Sequence, residues 1–196
     1  MLYTKQIKIA LNLVHEKHFD QFDKGGVVYV CHPLHVSRQV EQTEELICVA
    51  LLHDIVEDTD VRIQDLIDLG FDQTIVDAID AITKRKGESY ADYLDRVKKN
   101  DLARKVKIED LLHNMDLSRL AKIEVKDLDR TEKYIKAYVE LCQAEVHAIH
   151  CAAGCGTQRC DGSEEWIEGC TLYQNLIAKV DPIKAEIVKK RKEIEQ

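Results

Sequence analysis

Proline and glycine are scarce in this chain, at two and eight residues out of 196. So few breakers, set among abundant Leu, Ile, Ala, Lys and Glu, exclude a turn-rich sheet sandwich and favour helices. A basic excess is missing too. The 28 Lys and Arg are outnumbered by 36 Asp and Glu, and the net charge of −8 argues against a surface for a nucleic-acid polymer, which requires a basic stripe. It also means that a phosphate-bearing ligand is repelled unless a bound cation offsets the field. No segment reaches the roughly 18 uncharged apolar residues that read as a membrane span. The opening MLYTKQIKIALNLVHEKHF lacks the basic head, apolar stretch and small-residue cleavage site of a secretory leader. Together with an odd count of seven cysteines, these absences lead us to expect a cytoplasmic protein with mostly free thiols.

What is present reads as all-α. At 45 per cent apolar and 33 per cent charged, the chain can bury a sizeable core. Ile7, Leu11 and Val14 recur at helical spacing after a capping Thr4, which predicts a helix to His18. The pair Gly25–Gly26 ends that run, VVYVC is a short extended stretch, and Pro33 suits the first turn of a second helix reaching about Val40. Further helices are expected over roughly Glu44–Asp54, a short segment stopped by Gly70, a stretch carrying Ile75, Ile79 and Ile82, then Tyr90–Lys99, Leu102–Ala121 and Asp129–Ile149. Gly, Ser and Cys cluster over residues 151–163 and mark a loop. Beyond it a helical extension is expected, with Asp181 as a cap. The division predicted is a helical domain over residues 1–150 and a Cys-containing loop with helical extension over 151–196.

One segment departs from ordinary amphipathic helix. ALLHDIVEDTD follows an apolar run with His53, Asp54, Glu57 and Asp58. Unpaired charges placed against so apolar a stretch are costly. If helix persists, His53 and Glu57 are one turn apart, as are Asp54 and Asp58. A divalent cation relieves the carboxylate repulsion, and imidazole with carboxylate suits Mn²⁺, Fe²⁺, Zn²⁺ or Ni²⁺. His32 in VCHPLHV and the helical face Lys107, Asp110, Asn114 in KIEDLLHNMD offer the remaining donors. Taken singly, each has a bland reading as a structural histidine or a solvated face.

The order H…HDxxED…D resembles the HD-domain superfamily of metal-dependent phosphohydrolases. The segments QFDKGGVVYVCHPLHV, ALLHDIVEDTD and KIEDLLHNMD look like the (p)ppGpp hydrolase domain of the RelA/SpoT family and its small stand-alone relatives. This resemblance implies an HD-domain helical bundle in which His32, His53, Asp54 and Asp110 bind one metal ion, typically Mn²⁺. It implies that Glu57 and Asp58 orient or deprotonate the attacking water, with Asn114 near the metal and substrate. Lys24 and Lys107 match basic motif positions, and these two or Arg119 would neutralise phosphoryl charge. The implied activity is hydrolysis of a phosphate or pyrophosphate ester of a small nucleotide, such as the 3′-pyrophosphate of (p)ppGpp. Another nucleotide or dinucleotide phosphate, or a non-catalytic nucleotide sensor on the same fold, are the rival readings.

Some positions depart from that pattern. Asp23 precedes Lys24 where the family has an arginine, and Leu111 and Asp116 replace two more. Tyr90, Tyr93 and Arg96 offer either a surface for stacking a base or the core of a helix. His147, Cys151, Cys155, Cys160 and Cys170 could hold zinc, although they lack paired C-x₂-C spacing. Leu176, Val180, Ile183, Ile187 and Ile194 predict that the tail helices pack on the main domain or on a second copy of the chain.

Overall fold

The computed structural model describes residues 3–152 and 170–195. These form α-helices with short connections, and among them no strand occurs beyond one antiparallel bridge, Phe22–Val28. The chain divides between His113 and Asn114 into two compact units.

The first unit is organised around α3 (Glu44–Leu52). Its residues 46–52 are all buried, which is what a helix apolar on every face requires. α1 (Lys5–Lys17), α2 (Cys31–Gln39) and α6 (Gln73–Ile82) pack against it. Thr4 caps α1 as expected, its hydroxyl accepting from the Ile7 amide at 3.3 Å. α4 (Ile55–Asp58) is a single turn, and α5 (Ile63–Asp68) is followed by Gly70, whose φ of +82° suits a residue without Cβ. α7 (Tyr90–Lys99) and α8 (Asp101–Asn114) complete the unit up to its boundary.

The segment around α7 is structural. The Tyr93 hydroxyl donates to the Ile82 carbonyl at 2.8 Å and its side chain is buried. The Arg96 guanidinium donates to the carbonyls of Asp80, Ala81 and Thr83 at 2.6, 2.8 and 3.0 Å and pairs with Glu88 at 2.7 Å. The last carbonyls of α6, which have no partner within their own helix, are thereby satisfied. Arg96→Ala is expected to lower the unfolding free energy by about 2–3 kcal/mol, because charge-assisted bonds to half-buried acceptors are lost. Urea titration with an unchanged slope checks this, and an unaltered midpoint would refute it.

The second unit contains a 3₁₀ turn (Leu117–Arg119), α9 (Val125–Ala152), α10 (Thr171–Ala178) and α11 (Asp181–Glu195). The helix expected to run to Ala121 stops at Asn114. Asp116 accepts from the amide and the hydroxyl of Ser118 at 3.0 and 2.6 Å, a local arrangement that competes with helix continuation. α9 begins earlier than its apolar spacing predicts, because the Asp127 carboxylate accepts from the Glu124 amide at 3.0 Å. The tail helices pack on α9 within this unit. Tyr173, Val180 and Ile187 are buried, Tyr138 donates to the Leu176 carbonyl at 2.8 Å, and Arg191 pairs with Asp129 and Glu132 at 2.7 and 2.9 Å. Of the cysteines, Cys31 and Cys48 carry free thiols. Residues 151 and 152, predicted as the start of a loop, instead end α9, and the rest of that predicted loop, with the Cys155 and Cys160 positions, lies outside the described residues.

Candidate metal centre

Three helices of the first unit bring the candidate ligands to one point. His32 lies in the first turn of α2, His53 and Asp54 follow α3, and Asp110 sits on α8. His32 Nε2 is 3.1 Å from His53 Nε2 and 3.0 Å from Asp110 Oδ1. Asp54 Oδ2 lies 3.0 Å from His53 Nε2 and 3.5 Å from His32 Nε2. The two imidazoles and Asp110 are each no more than 3% exposed.

The helix expected over roughly Glu44–Asp54 ends at Leu52 and does not persist through the motif, and that interruption is what makes the cluster. Neighbouring residues in an α-helix do not face each other. At Asp54 the backbone turns to φ −103°, ψ −3°, the sparsely occupied region where many active-site residues sit. His53 and Asp54, adjacent in sequence, therefore reach the same point. A new turn starts at once, with the Asp58 amide donating to the Asp54 carbonyl at 2.9 Å.

The electrostatics are those of charges that hold one another ionised. Burial alone would strip His53 of its proton, yet Asp54 and Asp110 outweigh it and push the imidazole up to about 10. His32 is raised in the same way, against burial, by its bonds to Asp110 and Asp54. Burial works against ionisation of both carboxyls. His53 and His32 nevertheless hold Asp54 well below the ordinary carboxylate range, and Lys107 does the same for Asp110. Lys107 donates to Asp110 Oδ2 at 2.7 Å.

Two buried imidazole nitrogens, the buried Asp110 carboxylate and the partly exposed Asp54 carboxylate converge as a donor set that fits a first-row divalent ion. The tautomer of His53 agrees with this. Its Nδ1 is 2.8 Å from the Ala50 carbonyl, which can only accept, so the proton sits on Nδ1 and Nε2 is left with its lone pair in the neutral ring.

The acidic pair lies one turn on. Glu57 and Asp58 are exposed at the rim of the cluster; Glu57 accepts from the Lys84 amide at 3.1 Å. Partial desolvation, reinforced by the Asp54 charge, raises both carboxyls. Lys24 is exposed in the turn before α2. Asn114 and Arg119 belong to the second unit, Asn114 at the end of α8 and Arg119 in the 3₁₀ turn.

Sequence reasoning missed Tyr29, whose hydroxyl donates to Asp54 at 2.5 Å and lies 3.3 Å from Asp58 Oδ2. Its ring packs on buried His18, with centroids 4.9 Å apart. A tyrosine three residues before the histidine carries no signal of its own. Asp23, which stands where an arginine was expected, braces its loop: Oδ1 accepts from the amides of Gly25 and Val27 at 2.8 and 2.9 Å.

No family model matches the chain. Among curated proteins, the guanosine-3′,5′-bis(diphosphate) 3′-pyrophosphohydrolase of Borreliella burgdorferi is 32% identical over 83 residues, covering 41% of this chain and 12% of that protein. The protein of the same name from Aquifex aeolicus is 32% identical over 85 residues, 42% of this chain and 12% of its own length. A GTP pyrophosphokinase of Streptomyces coelicolor is 25% identical over 201 residues, 96% of this chain and 22% of that protein. The chain thus spans only a small part of the curated relatives it matches. A solved structure of a metazoan orthologue of SpoT that hydrolyses ppGpp aligns with a TM-score of 0.63 at 23% identity, covering 79% of this chain and 98% of that one. In helical fold and in the order of its His and Asp motifs, the chain is similar to the HD-type hydrolase domains of the RelA/SpoT family.

Proposed function

We propose that this protein is a metal-dependent phosphohydrolase that removes the 3′-pyrophosphate of guanosine-3′,5′-bis(diphosphate), the reaction named for its relatives in Borreliella burgdorferi and Aquifex aeolicus. The observation that carries this reading is the convergence of His32, His53, Asp54 and Asp110 with an acidic pair one turn away. Those four residues would hold one divalent ion, for which we propose Mn²⁺. The ion would polarise a phosphoryl oxygen and lower the pKa of a water.

The chain's own residues supply the remainder. Asp58 or Glu57 takes a proton from a water whose oxygen bonds to the phosphorus as the phosphorus–oxygen bond to the ribose 3′ oxygen breaks; that proton is returned to the leaving oxygen, which departs as the 3′-hydroxyl while pyrophosphate is released. Raised carboxyls suit this task, since a base closer to neutrality accepts a proton with more driving force. Tyr29 holds Asp54 and Asp58 in register with each other. Lys107 is engaged with Asp110 and keeps that ligand ionised, whereas exposed Lys24 is the cation we assign to the phosphoryl oxygens. The negative net charge makes such local cations necessary for a polyanion to approach.

The test is pyrophosphate release with Mn²⁺, measured across (p)ppGpp, other nucleotides and dinucleotide phosphates. Turnover of (p)ppGpp that a chelator abolishes and Mn²⁺ restores is the expected result. Turnover only of another phosphate ester would overturn the substrate assignment, and turnover indifferent to chelators would overturn the metal.

A further inference from the structure

On the side of His32 away from the cluster lies a second imidazole. His113, near the end of α8, places its Nδ1 2.6 Å from His32 Nδ1. The two rings are within 7° of parallel with centroids 4.9 Å apart. That separation is what five-membered rings reach when the two nitrogens point straight at each other, so the contact is an edge-to-edge hydrogen bond between coplanar rings rather than a face-on stack. The ring of His35 does lie face-on to His113, 4.0 Å between centroids and 12° from parallel, and so fixes the plane of that ring.

Two nitrogens at this distance share one proton, and the question is which ring owns it. His32 turns Nε2 toward His53, Asp110 and Asp54. When that nitrogen gives its lone pair to a cation, the neutral ring must carry its proton on Nδ1. His113 Nδ1 is then the acceptor, and the proton of His113 sits on its own Nε2. We infer that His113 is a positioning residue that fixes the tautomer and ring plane of His32, as the Ala50 carbonyl does for His53, with His35 bracing it. This rests on the reading of His32 as a metal ligand. The usual acceptor behind a ligating histidine is a carboxylate or a carbonyl, so an imidazole in that place is a property of this site in its own right.

The experiment measures Mn²⁺ affinity by competition with a chromophoric chelator, for the full chain and for H113F and H113N, with apo thermal midpoints recorded beside it. H113F keeps a ring and removes the acceptor, and is expected to weaken Mn²⁺ binding about 10- to 100-fold. H113N returns an acceptor oxygen near the place of Nδ1 and is expected to recover most of that loss. Affinity in H113F equal to the parent, or H113N as weak as H113F, overturns the inference while the metal site stands. A parent chain that binds no Mn²⁺ overturns the metal reading and this inference with it. ¹⁵N imidazole spectra of the unaltered protein loaded with diamagnetic Zn²⁺ give the answer without a variant: His32 protonated on Nδ1 and His113 on Nε2 is expected, and the opposite tautomer of His113 refutes it.

Discussion

Asp54→Asn is expected to abolish turnover, lowering kcat/KM by about 10³-fold or more, and to leave the purified protein without stoichiometric Mn²⁺. Loss of the Lewis acid removes several kcal/mol of transition-state stabilisation, and each 1.36 kcal/mol is a factor of ten. Asparagine keeps the shape of the side chain, and its carbonyl oxygen still accepts from Tyr29, whose hydroxyl reaches Asp54 at 2.5 Å. What it removes is one of the two negative charges, Asp54 and Asp110, that hold His53 and His32 against burial. Both imidazoles then keep only Asp110 as an anionic partner in the apo protein, so the fold should survive while the site does not. Metal content by elemental analysis, alongside pyrophosphate release, reads both effects. A variant that keeps its full metal complement and its activity would sink the assignment of Asp54 as a ligand.

Glu57→Gln and Asp58→Asn should separate chemistry from metal binding. Removing the residue that accepts the water's proton is expected to lower kcat by about 10²- to 10⁴-fold while Mn²⁺ affinity stays within a few-fold of the parent. The pH profile gives the sign. Only the ionised base can take a proton, and both carboxyls are raised by desolvation and by the Asp54 charge. In the parent, kcat/KM should therefore fall as pH falls, with a midpoint above that of an ordinary carboxylate, and the variant lacking the base should lose this limb. Stability runs the other way. A carboxyl whose folded pKa is raised contributes stability that is present at low pH and lost as pH rises through that value. At neutral pH both acids are thus a cost to the fold, and their amide variants should be as stable as the parent or slightly more so. Such an exchange of stability for function is common at working sites. Two inactive variants that also melt early would instead mark Glu57 and Asp58 as structural.

Much of the helical architecture is legible in local chemistry. Apolar spacing identifies α1, α6 and α7, Thr4 and Gly70 mark a start and a stop, and the unbroken apolar run of α3 announces burial on every face. The ligand types and their order are equally legible, because imidazole and carboxylate beside so apolar a helix need either partners or a cation. The 3₁₀ turn after Asn114 is harder to read, because Leu117 and Leu120 keep the helical rhythm while the Asp116 side chain takes over the Ser118 amide.

Composition, periodicity and motif order by themselves determined that this protein is all-α, acidic, and equipped with two histidines and two aspartates suited to a divalent ion. Tertiary structure alone decided that the chain kinks at Asp54, that Tyr29 bridges two carboxylates, that Lys107 serves Asp110, and that Arg96 caps α6 rather than stacking on a base. It alone placed an imidazole behind His32. The reason is range: helical propensity and charge act over a turn or two of chain, whereas Tyr29 meets Asp54 across 25 residues and His32 meets His113 across 81, and only a folded core brings such groups together.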